Sequence, residues 1–274
     1  MPLEKLIITV APTGSVPTKK DTPYLPTNPD EIAETAYLCE QEGASVIHVH
    51  CRDENGLPTS EPHIFKETVD KIRKRTKLLI MVSTSGVAGK SDDERATPLD
   101  ANPDLASLTT GSLNFAGRQP SLVYINSWET VTFLARHMQQ LKIKPELECF
   151  DIGFIHQGCK LLQQGLVETP PLFQLVMGVD GGIPGTTDNL NHMIRQLPEN
   201  SVYTVAGVGR FQQSMTSLSI CFGGHVRVGL EDNIYISKGQ LAPNETFVAK
   251  TRNLAEVLGR EVASPEDARA MLGI

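Results

Sequence analysis

The sequence predicts an α/β protein with the (β/α)8 architecture known as the TIM barrel, in which eight parallel strands alternate with helices. The chain has 274 residues, a length that suits one such barrel. Eight short apolar runs follow one another along it, and most are almost continuously apolar, as parallel strands covered on both faces are. Helical patterns separate most of these runs. Residues 1–274 are therefore predicted to form a single barrel domain, and a doubly wound sheet is the alternative.

The predicted strands are runs of β-branched and other apolar residues that end in polar or glycine-rich turns. In chain order they cover residues 6–12, 45–51, 78–84, 105–111, 146–152, 172–178, 201–207 and 225–230. A parallel barrel places the carboxyl ends of all its strands at one rim, where barrel active sites lie. Polar residues at those ends are therefore the first candidates for a functional site.

The first predicted helix begins after Asn28, an N-cap residue followed by Pro29 and two acidic residues, and it ends before Gly43. Residues 264–272 predict a capped helix that forms a short C-terminal extension of the barrel. Residues 90–104 predict mostly loop, which makes the third connection the weakest helix of the series. The other predicted helices cover residues 61–75, 127–141, 154–165, 187–197 and 244–258, with a short one near 212–220.

Composition and charge argue against several classes of partner. The formal net charge is -7 and no Lys/Arg-rich block occurs, so nucleic acid is not an expected partner. No stretch approaches the ~20 apolar residues that a membrane-spanning helix needs, and the N-terminus has no signal-peptide pattern. The five cysteines are scattered and form no CxxC pair. This usage favours a reducing cytoplasm over a disulfide framework or a thiolate zinc site.

The segment HVHCRD, residues 48–53, carries the first candidate metal ligands. In a strand, residues i and i+2 face the same way, so His48 and His50 project together toward the barrel axis. Two neutral imidazoles at the carboxyl end of a strand suit Zn²⁺ or a similar divalent metal. The alternative is a pair of buried, hydrogen-bonded histidines. Arg52 and Asp53 follow at once, either to orient the ligands or to form a capping salt bridge.

The eighth run supplies the rest of the candidate centre. Glu231 and Asp232 end this strand, and Glu231 is a candidate third ligand. Arg227 lies four residues earlier, so in an extended strand it faces the same way as Glu231. A buried arginine must be paired or face an anionic ligand, and the alternative interpretation is a structural Arg–Asp pair that closes the barrel. His225 begins the strand and is predicted to be a structural histidine at the opposite end.

Small polar groups end two other strands. Ser83 closes the third, and Ser107 and Thr109 lie near the end of the fourth. Their hydroxyls suit hydrogen bonding to a carboxylate or carbonyl, but they are equally typical of helix caps. The glycine-rich turns 181–185 and 207–210 are candidates for binding phosphate through backbone amides. The GxGxxG fingerprint after the first strand, the Walker A pattern and the GxSxG elbow are all absent.

Seven segments in a fixed order resemble the β-keto acid cleavage enzyme family: APTGS, LPTNPDEIA, GASVIHVHCRD, STSG, LTTGSLNF, VAGVGR and GGHVRVGLEDN. The resemblance runs from about residue 6 to the C-terminus. It implies a metal-dependent (β/α)8 barrel, usually with zinc, that condenses a β-keto acid with acetyl-CoA and releases acetoacetate and a new CoA thioester. It also implies a homo-oligomer, in particular a tetramer.

The same resemblance implies roles for individual residues. Ser83 matches a residue at the reacting centre, and Ser107 stands where the family has a threonine that contacts substrate. The metal ligands would be His48, His50 and Glu231, and the catalytic pair would be Arg227 and Asp232.

Residue 16 departs from the pattern of one family member. The member that acts on an aminated keto acid has a glutamate in the first βα loop, where a carboxylate can pair with the substrate ammonium. Val16 occupies this place here, and an apolar residue cannot counter a buried cation. A substrate with a neutral or apolar tail is therefore expected, unless another acid is recruited from elsewhere.

Two other functions remain open from the sequence. A zinc-dependent barrel hydrolase of the amidohydrolase type would also use an HxH pair and a distant carboxylate to activate water. Such enzymes usually place HxH on the first strand, whereas it lies on the second predicted strand here. A non-catalytic scaffold with a structural metal would need a closed, four-ligand site, whereas this sequence offers three ligands and an open position.

Overall fold

The computed structural model describes residues 4–85, 89–116 and 122–274, and its centre is a closed barrel of eight parallel strands. Neighbouring strands follow the order of the chain, and the eighth strand pairs with the first. This closure confirms the predicted (β/α)8 architecture and excludes the doubly wound sheet. The strands are β1 (Ile8–Val10), β2 (Val46–Val49), β3 (Leu79–Val82), β4 (Leu105–Thr109), β5 (Lys144–Cys149), β6 (Leu172–Met177), β7 (Val202–Gly207) and β8 (His225–Val228).

Helices cover the outside of the barrel. In the described ranges, none of them is long and apolar enough to cross a membrane. Short two-stranded hairpins extend three of the loops at the carboxyl ends of the strands: Cys51–Arg52 with Pro58–Thr59, Leu113–Phe115 with Leu122–Tyr124, and Tyr235–Ser237 with Gln240–Leu241. The helices are α1 (Pro29–Gln41), α2 (Pro62–Arg75), α3 (Asp92–Ala96), α4 (Trp128–Leu141), α5 (Ile152–Gln163), α6 (Thr187–Gln196), α7 (Gln212–Cys221), α8 (Asn244–Val257) and α9 (Pro265–Leu272).

The start of α1 shows how local sequence signals set the element boundaries. The Asn28 side chain accepts a hydrogen bond from the Glu31 backbone nitrogen at 2.9 Å, and Pro29 occupies the first turn, where no donor is needed. At the other end of the chain, Ser264 and Asp267 form a reciprocal capping box that begins α9. Both predicted helix starts are confirmed.

Two predicted boundaries are wrong. Residues 90–104 are not mostly loop, because Ser91 and Glu94 form a capping box that begins α3, and a 3-10 turn, Thr97–Ala101, follows it. The fifth strand runs from Lys144 to Cys149 instead of 146–152. The strand includes Pro145, although proline is rare inside a sheet, and Asp151 is the N-cap of α5 rather than a strand residue.

The barrel interior changes from apolar to polar along its axis. Its amino-terminal end is filled by a separate apolar cluster that α9 closes with Ala268 and Leu272. Higher in the barrel, the buried side chains are mainly polar or charged. The apolar cluster includes Ile7, Val46, Leu79, Met81, Leu105 and Leu172, and the polar residues include His48, Ser107, Glu146, Gln174 and Arg227. Burying polar groups is costly unless they are hydrogen-bonded, paired or bound to a ligand, and this concentration of them indicates a site at the carboxyl ends of the strands.

Candidate active site

His48, His50 and Glu231 meet at the carboxyl end of the barrel. His48 is buried on β2, His50 follows the last residue of β2, and Glu231 lies just beyond β8, which is two strands away around the barrel. Nε2 of His48 lies 3.7 Å from Oε2 of Glu231, and Nε2 of His50 lies 3.6 Å from Oε1. One potential ligand atom from each of the three lies within 4.8 Å of the others. The strand geometry thus gathers two imidazoles and one carboxylate around a common point.

The chemistry of this donor set fits a divalent metal. Neither ring nitrogen of His48 has a hydrogen-bond partner among the described residues, and neither has Oε2 of Glu231, although all three atoms are buried. Buried polar atoms without partners are rare in proteins and call for an explanation, such as an ion. Two histidines and a glutamate form the ligand set of some catalytic zinc sites, in which a further position stays open. The alternative interpretation, that His48 and His50 are two buried histidines held by hydrogen bonds, does not fit His48, because neither of its ring nitrogens has a partner among the described residues.

The protonation states of these residues agree with that chemistry. Burial lowers the pKa of His48 to about 3, so its imidazole is neutral near pH 7. Burial would raise the pKa of Glu231, but Arg227 and the two histidines outweigh it and hold the pKa well below its ordinary range. A neutral imidazole and a charged carboxylate are the forms that bind metals.

Arg227 holds both acidic residues that follow β8. Its Nε donates to Oδ2 of Asp232 at 2.9 Å and its Nη2 donates to Oδ1 at 2.6 Å, which makes a bidentate pair. The same Nη2 also donates to Oε1 of Glu231 at 3.2 Å. Burial raises the pKa of Asp232, and the nearby negative charge of Glu231 raises it further. Arg227 lowers this pKa, but it offsets the two other effects only in part. The predicted Arg–Asp pair is present, and it directly adjoins the histidine–glutamate group.

Glu146 and Glu148 also belong to this centre, although the sequence analysis missed them. Glu148 accepts a hydrogen bond from Oγ1 of Thr109 at 2.6 Å, and its Oε1 lies 3.5 Å from Nη1 of Arg227. Glu146 is fully buried and accepts a hydrogen bond from Nε2 of Gln174 at 2.9 Å. Burial raises the pKa of both residues, and that of Glu146 to about 8. The signal was the alternation Glu-Leu-Glu in β5, the same i, i+2 pattern as His48 and His50.

Because the carboxyl group of Glu146 is buried, we expect the stability of the folded protein to depend on pH. In the folded protein its pKa is raised to about 8 from an ordinary value of 4.5, so between these values the folded state binds more protons than the unfolded chain. The free energy of unfolding should therefore fall as pH rises across this window. Glu146→Gln removes the effect and should gain stability relative to the parent protein, up to about 4 kcal/mol by pH 8. Denaturant unfolding of both proteins at about pH 5 and about pH 8 measures this difference.

Glu199→Gln, on an exposed turn, is the matched control, and its difference from the parent protein should be the same at both pH values. If the difference between Glu146→Gln and the parent protein did not change with pH, Glu146 would be ionised in the folded state and the prediction would be wrong.

Of the three predicted hydroxyl residues, Ser83 directly follows β3, Thr109 is the last residue of β4, and Ser107 lies in the middle of β4. Ser83 is buried beside His50 in a small cavity, and its Oγ lies 2.8 Å from that of Ser85. Ser107 pairs with Glu146 in the register of β4 and β5, and Thr109 pairs with Glu148. None of the three caps a helix in the described ranges. Ser83 and Thr109 thus lie at the carboxyl ends of their strands, as predicted, and Thr109 is bonded to the carboxylate of Glu148, whereas Ser107 lies deeper in the barrel.

The first βα loop packs against Glu231 of the His48–His50–Glu231 group, and Arg52 holds this loop in place. The buried guanidinium of Arg52 donates from Nη2 to the carbonyl oxygens of Gly14 at 2.9 Å and Pro17 at 2.7 Å. Gly14 has a left-handed backbone with φ +63°, and a Cβ atom there would lie 2.6 Å from Cγ of Glu231. Val16, in the same loop, is 59% exposed. Arg52 therefore positions the loop rather than orienting a histidine.

Two further predictions concern residues outside the group. His225 is buried at the amino-terminal end of β8, where its Nδ1 accepts a hydrogen bond from the Ile7 backbone at 3.1 Å, so it is a structural histidine. Three amides of the glycine-rich turns are not available to a phosphate. The amides of Gly182, Ile183 and Gly209 donate to carbonyl oxygens within the protein.

A large cleft opens beside Glu231 and Asp232. It has a volume of about 1090 Å³ and lies between the first βα loop, α7, α8 and the hairpin after β8. Val16 lines this cleft together with the two acidic residues. The position of Val16 fits a residue that contacts a bound small molecule.

Comparisons with known proteins place the whole chain in one group. The sequence profile of the beta-keto acid cleavage enzyme family matches residues 5–274. A 3-keto-5-aminohexanoate cleavage enzyme from Acetoanaerobium sticklandii is 40% identical over 274 residues, which cover 99% of each chain. The 3-oxoadipate:acetyl-CoA acetyltransferase of Cupriavidus necator is 39% identical over 273 residues, covering 98% of this chain and 94% of the other. The apo structure of ObcA superposes with a TM-score of 0.78 at 19% identity, over 92% of this chain and 66% of that one, which supports the fold alone.

Proposed function

This chain belongs to the β-keto acid cleavage enzyme family, and from that premise we propose that it condenses a β-keto acid with acetyl-CoA, releasing acetoacetate and a new acyl-CoA. It is an acyltransferase that cleaves a carbon–carbon bond, with acetyl-CoA as co-substrate. The observation that supports the reaction best is the contact between the His48–His50–Glu231 group and the Arg227–Asp232 pair.

We assign His48, His50 and Glu231 as ligands of a divalent metal, and zinc as that metal. When bound, such an ion would polarise a substrate carbonyl as a Lewis acid. The three residues leave room for substrate because no fourth protein ligand belongs to their group among the described residues. Arg227, through its bond to Glu231, fixes the orientation of that carboxylate.

Asp232 is the group that we assign to proton transfer. It accepts a proton from the carbon between the ketone and the carboxylate of the β-keto acid, and Arg227 holds it in position. That carbon then bonds to the acetyl carbonyl carbon and displaces the CoA thiolate. The thiolate attacks the original ketone carbon, and the bond from that carbon to the central carbon breaks to give the new thioester. The released carbanion takes the proton back from Asp232 and leaves as acetoacetate. Ser83 donates a hydrogen bond where negative charge develops on oxygen, and Ser107 and Thr109 contact the substrate.

A panel assay tests this function directly. Metal-loaded protein is incubated with acetyl-CoA and a series of β-keto acids, and acetoacetate is measured. We expect acetoacetate with at least one acid, together with an equal amount of new acyl-CoA. If no acid in the panel releases acetoacetate, the proposal is wrong. Hydrolysis of a lactone or amide without CoA would instead support a barrel hydrolase.

The substrate tail is proposed to be neutral or apolar because Val16 faces the cleft. Val16→Glu should therefore raise kcat/KM for 3-keto-5-aminohexanoate relative to 3-ketohexanoate by about tenfold, since a carboxylate near the substrate ammonium gains an ion pair. Parallel kinetics on the two acids measure this ratio. Val257→Glu adds the same charge at an exposed position on α8 outside the cleft, so it should leave the ratio unchanged. A preference of the parent protein for the aminated acid would contradict the proposal.

The setting of the reaction is also proposed. We propose that residues 1–274 act as one barrel domain with the C-terminal helix as its extension. The absence of a CxxC pair, together with the scattered cysteines, supports a reducing cytoplasm. Family resemblance supports a homo-oligomer, proposed to be a tetramer, and light scattering on the purified protein tests that assembly.

A further inference from the structure

Arg95, in α3, is a buried cation to which the proposed reaction gives no role. Its side chain is 5% exposed, and no ion pair to it occurs within residues 4–85, 89–116 and 122–274. Removing a guanidinium from water is costly unless hydrogen bonds or opposite charges compensate for the lost hydration. The groups that accept hydrogen bonds from Arg95 therefore indicate what this residue does.

The guanidinium of Arg95 joins two segments that follow neighbouring strands. Its Nε donates to the carbonyl oxygen of Thr84, in the third βα loop, at 3.0 Å. Its Nη2 donates to Oδ1 of Asn126 at 2.7 Å, and its Nη1 donates to the carbonyl oxygen of Ile125 at 3.3 Å. Asn126 and Ile125 belong to the fourth βα loop, so one side chain connects the two loops.

The acceptors of the guanidinium lie next to hydroxyl residues that are assigned to the reaction. Thr84 directly follows Ser83 in the chain. Asn126 donates from Nδ2 to the carbonyl oxygen of Gly111 at 3.0 Å, and Gly111 lies two residues after Thr109. A displacement of the guanidinium would therefore reach Ser83 and Thr109 through one or two residues of backbone.

Tyr124 provides a second connection to Thr109. Nη2 of Arg95 donates to the Tyr124 hydroxyl at 3.0 Å, and the guanidinium lies 5.3 Å from the centre of the phenol ring. Burial raises the pKa of Tyr124, while the charge of Arg95 and a hydrogen bond with Thr109 lower it only in part, so the phenol keeps its proton near pH 7. Thr109 in turn donates to Oε2 of Glu148 at 2.6 Å. The contacts therefore continue from Arg95 to a carboxylate at the centre of the site.

Helix α3, which presents Arg95, is itself attached to two neighbouring segments. Oγ1 of Thr130, in α4, donates to Oδ2 of Asp92 at 3.2 Å. Oγ1 of Thr97 donates to the carbonyl oxygen of Ser60 at 2.6 Å. The guanidinium thus extends from an anchored backbone to four acceptors. Support of this kind can hold reacting groups within about 0.5 Å of their working positions.

We propose that Arg95 is a positioning residue that fixes the third and fourth βα loops to each other and thereby sets where Ser83 and Thr109 lie beside the proposed metal site. It acts through the carbonyl oxygen of Thr84 and through Tyr124, without contacting the substrate. This proposal rests on the proposed function, in which the hydroxyls of the two loops act on the substrate.

Arg95→Lys tests the connection, because lysine keeps the charge but cannot form four hydrogen bonds in these fixed directions. We expect kcat with acetyl-CoA and the best β-keto acid to fall about 10–100-fold, with KM values within a few-fold of the parent values, since small displacements of reacting groups act mainly on turnover.

Arg260→Lys is the matched control for this variant. Arg260 is also buried, but its hydrogen bonds within the described ranges all go to backbone carbonyl oxygens at the amino-terminal end of the barrel. Both variants should lose stability. Only Arg95→Lys should lose turnover at a temperature where both proteins are folded.

Tyr124→Phe tests the second connection and serves as well if Arg95→Lys does not fold. It removes the hydroxyl but keeps the ring, so kcat should fall about tenfold, as expected for one lost hydrogen bond. In a double-mutant cycle it should add little to Thr109→Val, because both substitutions break the same series of contacts. Tyr37→Phe is the control, since Arg75 lies 5.6 Å from that ring on the outside of the barrel. Additive losses, or a parent-like kcat in Tyr124→Phe, would contradict the proposal.

Hydrogen exchange separates this proposal from the proposed function, because it needs no turnover. In Arg95→Lys the amides of Ser85 and Asn126, one in each loop, should exchange at least tenfold faster than in the parent protein, whereas Arg260→Lys should leave both within a few-fold. If both amides respond but the parent protein releases no acetoacetate, the connection holds and the reaction is wrong. If the parent protein is active and Arg95→Lys keeps its kcat, the positioning role is overturned. Unchanged exchange at either amide would show that Arg95 does not join the loops.

Discussion

Asp232→Asn should lower kcat by a factor on the order of 10² or more while the metal stays bound. The amide has nearly the same shape as the carboxylate and can still accept one hydrogen bond from Arg227, but it cannot take a proton from the substrate. Because Asp232 is not one of the three assigned ligands, metal content should match that of the parent protein. Steady-state kinetics with acetyl-CoA and the best β-keto acid, combined with elemental analysis, measure both quantities.

Asp53→Asn is the matched control for this variant. Asp53 follows the two histidines closely in sequence, but its carboxylate only accepts hydrogen bonds from the backbone of Asn55 and Leu57 in a hairpin turn. We expect its kcat to stay within a few-fold of the parent value. Full turnover by metal-loaded Asp232→Asn would show that another group transfers the proton.

Gly14→Ala should weaken metal binding by about 10–100-fold, the range typical of changes to groups that orient metal ligands. A Cβ atom at residue 14 would lie 2.6 Å from Cγ and 2.9 Å from Cβ of Glu231, so we expect the glutamate to shift relative to the two histidines. The variant also strains a left-handed backbone. Competition with a chelator measures the metal affinity, and activity should recover only when the metal is supplied in large excess.

Gly56→Ala separates the collision from the backbone strain. Gly56 has a similar left-handed backbone, with φ +74° against +63° for Gly14, but nothing lies within 4 Å of its added Cβ. Its metal affinity should therefore match that of the parent protein, even if both variants lose some stability. An equal loss of affinity in the two variants would mean that contact with Glu231 does not set the ligand geometry.

Much of the fold and half of the site follow from simple periodicities in the sequence. Period-two alternation predicts that His48, on β2, and His50, directly after it, project together, and the carboxyl-end rule for barrels brings Glu231 to the same rim. Arg227 was predicted to face the acids because it lies four residues before Glu231, and the structure shows that contact. The contact itself is as predicted, but the extended strand was predicted to run too far, because β8 ends at Val228 and the two acids lie in the turn that follows.

The parts that sequence reasoning missed depend on contacts between distant segments. Glu146 and Glu148 lie in a strand that was recognised by its apolar character, and only the barrel register brings Glu148 to Arg227. Arg52 was expected to orient a ligand or to form a salt bridge, but it donates hydrogen bonds to carbonyl oxygens of the first loop. Every residue has a backbone carbonyl, so the sequence gives no sign of which ones Arg52 contacts. Helix α3 was missed although its capping box was readable, because Pro98 and Asn102 confine it to a short segment.

The hydrogen bonds between the first loop and Arg52 limit how this loop can change when the barrel adapts to a different substrate. Gly14 packs against Glu231, the proposed metal ligand, and Val16, two residues later, lines the cleft. One short stretch would therefore affect both the proposed metal site and the proposed selection of the acid. An insertion or deletion between them would shift Gly14 against Glu231 and would uncouple the loop from Arg52. Acceptance of a different β-keto acid should therefore evolve most easily through substitution of residue 16 without a change in loop length. The side chain at this position can vary while the backbone of the first loop stays held by Arg52.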